Sequence, residues 1–338
     1  MAAVCGLGAI ASPILKQLTV VHGQWRAHAC LRFYSTSHAR LGLLQRVNDK
    51  YERFLEHRFP RFYVLYHTFM RGFQLLFEDI REVRRIKRSM CRNNIQYRQL
   101  PYRDMERLMM FRKDMIKAIP LAVISLPPFA VCLVFVLMYL FPRQLLFRHF
   151  WTPQQQRKFL NIEHAQRSCH HEEIMRSVAW TIPLVKEWPQ RSMLLNLCSK
   201  VQSGAHPSVS DIQAVGRVFS GPPLGMMSLE SSHMRLLCSP LLLTQWLPAF
   251  LLRRRLVSKS LDLLYLDRAL VSLGLEQLSD KEVIQACYLR GLNSSRLNSS
   301  QCRDWLHQWL QLSSRVKDSE TSLLLHSMVL LTINYPKS

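Results

Sequence analysis

The residues best suited to chemistry stand together at Cys169-His170-His171-Glu172-Glu173. Thiolate, imidazole and carboxylate are the usual zinc ligands, so the run invites a metal reading. On a helix, neighbouring residues point about 100° apart, and at most two of these side chains could face one ion. His164 and His171, seven apart, share a face, but no third ligand stands at a suitable spacing. The run therefore reads as a polar helical face, and neither a metal nor another cofactor is expected. The 9 cysteines are odd in number and contain no Cys-x-x-Cys pair, against a zinc module or a disulfide scaffold. There is no Gly-rich phosphate loop, no G-x-S-x-G and no H-E-x-x-H, so enzymatic activity is not expected.

What stands out instead is charge. Lys and Arg total 45 against 23 Asp and Glu, a net +22 over 338 residues, which points to a polyanionic partner, either RNA or anionic lipid. The densest cationic cluster of the C-terminal half is Arg253-Arg254-Arg255 with Lys259; it could meet RNA or acidic protein, or simply be solvated. Further along, Ser279 and Glu282 have capping-box spacing ahead of Val283, Ile284 and Cys287, and Gly291 is placed to end that helix. Asn298 and Gln301 offer a similar cap to a second helix bearing Cys302, Trp305, Leu306, Trp309 and Leu310. Such a helix–loop–helix pair, with Arg290, Arg296 and Arg303 expected at its surface, resembles small SAP-like units that touch nucleic-acid backbones. These seven cations are the candidate partner-binding residues.

The elements around them read as helices. Residues 45–118 are helical with a break near Pro60, and 151–338 are helical with loops at 203–208 and 220–225 and a last helix at about 320–333. No alternating strand pattern of useful length occurs, so the class is all-α. Phe69, Phe73, Leu76, Phe77, Ile80, Val83 and Ile86 form an apolar stripe opposite Arg81, Arg84, Arg85, Lys87 and Arg88. That helix either lies on anionic lipid or packs on its neighbours with a solvated basic face.

Two segments speak of location. From Ala118 to Pro142 no residue is charged, and the run covers about 35 Å, enough for one transmembrane helix. It holds no ionisable group, so it reads as an anchor. Before Asp49 there is no acid, only Lys16, Arg26, Arg32, Arg40 and Arg46 among small, hydroxylated and apolar residues, the composition of a mitochondrial presequence. Arg32 sits two residues before an expected cut between Tyr34 and Ser35. The expected organisation is a presequence at 1–34, a basic amphipathic segment at 35–117, a span at 118–142 and a helical domain at 143–338. Basic residues are denser before the span than after it, which by itself would put the N-terminal flank in the matrix.

The order of these pieces is similar to the mitochondrial leucine-zipper/EF-hand transmembrane (LETM) family, of which this chain resembles a short member. Tyr66-His67, Gly72-Phe73, Leu75-Leu76 and Asp79 match a family run before the span, while Asp114, Pro120 and Phe141-Pro142 match its entry and exit. After it come His206-Pro207-Ser208, Asp211-Ile212 and Phe219. The strongest match is Gln285-Ala286-Cys287-Tyr288-Leu289-Arg290-Gly291 with Trp309-Leu310-Gln311-Leu312 behind it, continued by Thr321-Ser322-Leu323-Leu324.

The resemblance implies an inner-membrane protein whose helical domain faces the matrix and associates with the mitochondrial ribosome, through rRNA or ribosomal proteins. It also implies links to cation/proton balance, cristae shape and respiratory-chain biogenesis, hence to respiratory-chain assembly or ion-transport proteins. Two departures limit it: no Ca²⁺ loop and no sustained heptad run occurs, and the family's paired acids appear here as Leu266-Asp267. Two other functions stay open. One is a cation/proton exchanger or its regulatory subunit, which would need a homo-oligomer because one uncharged helix cannot line a pore. The other is an interaction protein on the outer membrane or on nucleic acid.

Overall fold

Local signals start and stop the helices much as the sequence implies. In the computed structural model, which describes residues 60–124, 151 and 153–335, the Ser279 hydroxyl accepts the Glu282 N–H and the Glu282 carboxylate accepts the Ser279 N–H at 2.8 Å. Ser208 and Asp211 make the same reciprocal pair at 3.2 and 3.0 Å. Gln301 Oε1 accepts the Asn298 N–H at 3.0 Å. Gly291 ends its helix at φ +96°, a left-handed conformation that L side chains rarely adopt.

The described residues contain twelve α-helices and no strand, so the class is all-α. They are α1 (Pro60–Asn93), α2 (Tyr102–Ile124), α3 (Pro153–Ser168), α4 (His171–Thr181), α5 (Trp188–Gln202) and α6 (Val209–Ala214). After these come α7 (Gly216–Ser220), α8 (Ser231–Leu236), α9 (Ala249–Leu273), α10 (Asp280–Leu289), α11 (Ser299–Ser313) and α12 (Thr321–Leu330). Compactness divides the chain into two units: residues 80–111 with 152–338, and residues 1–79 with 112–151.

The first unit carries the hydrophobic core. Ile86 of α1 and Tyr102, Met105 and Met109 of α2 lie in one buried cluster with Leu194, Phe219, Leu264, Cys287, Trp305 and Leu324. Helix α12 is the axis: all ten of its residues are buried, as expected of a helix that is apolar on every side. Three of its polar residues are bonded through their side chains. Ser327 returns its hydroxyl to Leu323 O at 2.7 Å, Ser322 donates to Leu224 O, and His326 Nδ1 meets Ser322 O at 2.7 Å.

In the other unit, the described residues are the first part of α1, the second part of α2 and Trp151. The uncharged run at 118–142 begins within α2, and residues 125–142 lie outside the described residues. Among those described, no helix is long and apolar enough to cross a membrane. The expected cleavage residues Arg32, Tyr34 and Ser35 also lie outside them.

A buried hydrogen-bond chain sets the pH response of the core. Because His326 Nδ1 faces a carbonyl, it carries the proton, and its Nε2 must accept from His233 Nε2 at 2.8 Å. His233 Nδ1 then accepts from the Ser177 hydroxyl at 2.5 Å. The two bonds in which a ring nitrogen accepts require neutral rings, and burial holds His233 down to about 4 and His326 to about 3. Burial also holds His164 down to about 4, while it pushes Glu106 up to about 7.

The two effects oppose each other. Between pH 7.5 and 5.5 the unfolded state takes up protons on three histidines that the native state refuses, which removes stability. Glu106 takes up its proton in the native state and adds some. The histidines win by number, and the expected net loss on acidification is about 2 kcal/mol. Thermal unfolding should show a lower midpoint at pH 5.5 than at pH 7.5; a flat or inverted profile would contradict neutral, buried imidazoles.

Candidate functional site

The α10–α11 hairpin is held from beneath by one ion pair. Arg290, expected at the surface, is fully buried at 0% exposure. Its Nε donates to Asp267 Oδ1 at 2.8 Å and its Nη2 lies 2.6 Å from the same oxygen. Its Nη1 donates to Ala286 O at 2.7 Å, and Trp309 Nε1 donates to Asp267 Oδ2 at 2.8 Å. Helices α9, α10 and α11 thus meet at one carboxylate. Burial pulls the Arg290 guanidinium down, Asp267 and then Tyr102 and Cys287 pull it up, and the net shift is upward. Burial pushes the Asp267 carboxyl up against the pull of Arg290 and the Trp309 N–H. The single acid of Leu266-Asp267 suffices as the partner, and Leu266 is itself completely buried. Trp305, stacked on Trp309 with centroids 5.7 Å apart, donates its Nε1–H to Leu331 O at 3.0 Å.

The other sequence-nominated cations separate. Arg303 is partly buried and turned inward: it donates to Leu275 O, Leu278 O and Asp280 Oδ1 at 3.2, 2.9 and 3.0 Å. Its job is to tie the turn before α10 to α11, which removes it from the surface set. Arg253 donates to Leu229 O at 3.4 Å, and Lys259 pairs with Asp262 at 3.5 Å. The Arg296 side chain lies outside the described residues. Of the seven nominated cations, only Arg254 and Arg255 are seen exposed without an ion pair among the described residues. The hairpin is therefore a structural keystone, and the open cations are elsewhere.

Those cations are on α1. At 100° per residue, Arg81, Arg84, Arg85, Lys87, Arg88 and Arg92 fall within an arc of about 160° and along about 16 Å of axis. All six are exposed, while Val83 and Ile86, on the opposite side, are buried. Arg85 pairs with Glu82 at 2.8 Å; the other five make no ion pair among the described residues. The basic face read from the sequence is thus the outer surface of a helix packed on the core, the arrangement in which it is available to a polyanion.

The Cys-His-Glu run is a helix start: His171 is buried, Cys169 is exposed and His170 Nδ1 lies 2.9 Å from Glu173. Among the described residues no group of three or more His, Cys, Asp or Glu could hold a metal ion.

Comparison with known proteins follows this geometry closely. The family described as "LETM1-like, RBD" matches residues 100–330, a stretch that runs from α2 to α12 and begins after α1. The chain is 52% identical over 292 residues to LETM1 domain-containing protein 1 of Xenopus tropicalis, covering 86% of this chain and 83% of that protein. It is 52% identical over 289 residues to the Homo sapiens protein of that name, covering 86% and 80%, and 50% identical over the same shares to that of Bos taurus. On the extent of the match and on these identities, the chain belongs to the LETM1-like family.

Proposed function

We propose that this is a non-enzymatic mitochondrial inner-membrane protein, held at the membrane by the uncharged run at 118–142, whose helical unit binds the mitochondrial ribosome from the matrix side. Tyr102 and Met105 before that run share one core with Leu264 and Trp305 after it, so both flanks must share that side, which a single crossing would forbid. The observation that carries the reading is a ribosome-binding-type family match at 100–330 preceded by α1, which packs on the same core and presents five unpaired cations on one face. Phosphate contact needs little more than such a rigid cationic ridge. The acid-free leader supports mitochondrial import, and the absence of any ionisable group between Ala118 and Pro142 favours an anchor over an ion pathway. Respiratory-chain biogenesis, mitochondrial organisation and ion balance would then depend on it through translation at the membrane.

The test is protease protection of a C-terminally tagged chain, paired with ribosome cosedimentation. The tag should survive in intact mitochondria and in mitoplasts and be lost only in detergent, and the chain should sediment with ribosomes at low salt. Loss of the tag in mitoplasts puts the helical unit on the wrong side for ribosomes and overturns the reading.

A further inference from the structure

Two aromatic side chains lie bare beside the arginine cluster: Trp246 is 94% exposed and Phe250 68% exposed. Tryptophan is among the side chains most buried on average, so near-complete exposure asks for a partner. Pro248 and Ala249 between them are exposed as well, so residues 246–250 form a short apolar tip in which only Leu247 is partly turned away. One turn into α9, Arg254 follows Phe250 at the i, i+4 spacing and so shares its face, with Arg255 exposed beside it. The surrounding sequence is one-sided in charge: between Glu230 and Asp262 there is no acid, but there are Arg235, Arg253, Arg254, Arg255 and Lys259.

We infer that the corner formed by Trp246, Phe250, Arg254 and Arg255 seats on a bilayer surface that carries anionic headgroups. The layering fits the depth profile of an interface. Trp and Phe partition to the boundary between headgroups and acyl chains, and a long Arg side chain reaches from there to the phosphates. The α1 ridge has one such aromatic, Phe77, half exposed one turn before Arg81, whereas the corner sets two bare aromatics together with the exposed Pro248 and Ala249. Single-stranded RNA would also take an aromatic beside an arginine. It gains nothing from Pro248 and Ala249, whereas a bilayer buries the whole tip. This inference goes beyond ribosome binding and orients the helical unit: the corner faces lipid, and other surfaces stay free for the translation machinery.

Hydrogen exchange on the full-length chain tests it. The chain is reconstituted into vesicles of phosphatidylcholine alone, or with about one phosphatidylglycerol in three lipids, and amides of 244–256 are followed. Exchange there should slow at least about tenfold in the anionic vesicles relative to the neutral ones. The double variant Trp246→Asp/Phe250→Asp should lose that protection while keeping the wild-type melting midpoint, because neither side chain is part of the core. Equal exchange in both vesicles overturns the inference, as does protection given by a single-stranded RNA oligonucleotide and not by anionic lipid. Flotation after alkaline carbonate reports the membrane anchor at 118–142 separately, so the anchor can fail while the corner still answers in the same sample.

Discussion

Replacing Arg290 with Met is expected to destabilise the helical unit by about 3–5 kcal/mol, because it leaves the Asp267 carboxylate buried with no cation. The arginine is completely enclosed and is bonded to both Asp267 and Ala286 O, so no water can take its place at low cost. Arg290→Lys should recover little, since one ammonium cannot reproduce a guanidinium that spans a carboxylate and a carbonyl in fixed directions. The informative variant is the double Arg290→Met/Asp267→Leu. With no charge left inside, it should regain most of the loss, falling short by about 1 kcal/mol for the unmatched Trp309 N–H. Guanidinium unfolding of the four proteins supplies the comparison. A single Arg290→Met variant within about 1 kcal/mol of the parent would mean that the pair is solvated in solution and that the hairpin is held by its apolar seam alone.

The second large effect is expected on α1. Reversing Arg84, Lys87 and Arg88 to Glu should weaken ribosome binding by about 10²- to 10³-fold, at roughly 1 kcal/mol or more per lost phosphate contact. With five unpaired cations on α1, the parent should itself lose about 10²- to 10³-fold in affinity between 50 and 200 mM salt, and the triple variant should show a much shallower slope. All three side chains are exposed and unpaired, so the fold should be untouched, and unchanged thermal melts serve as the control. A variant that binds as tightly as its parent, with the same salt slope, would move the ribosome contact off α1. Charge reversal at Arg303 would be uninformative about binding, because that side chain is occupied by Leu275 O, Leu278 O and Asp280.

Much of the helical unit was legible because its signals are local. Ser279 with Glu282, Asn298 with Gln301 and Gly291 each act within a few residues of chain, and spacing alone reports such contacts. The same holds for the two faces of α1, since helical periodicity separates Val83 and Ile86 from Arg81, Arg84 and Arg88 without reference to anything else. Family membership was legible for a related reason: short runs such as Gln285–Gly291 keep their order along the chain.

The roles of the arginines were not legible. By type and spacing, Arg290 and Arg303 look like solvated charges on a helix pair. What buries Arg290 is Asp267, 23 residues away on another helix, together with the Trp309 N–H. A long-range ion pair leaves no periodic trace, and an arginine that caps carbonyls across a turn has the same sequence signature as one in water. Tyr102 and Met105 likewise enter the core only because α2 packs on α10, as in the Arg103–Glu282 pair, 179 residues apart in the chain. Trp246 shows the converse. Its type argues for burial, and only the packing of the α8–α9 connection leaves it in solvent. Sequence alone determined helical class, helix ends and charge, since backbone bonding and 3.6-residue periodicity are set by neighbours. Tertiary structure decided which charges are spent inside and which stay open, since desolvation depends on what distant segments bring alongside.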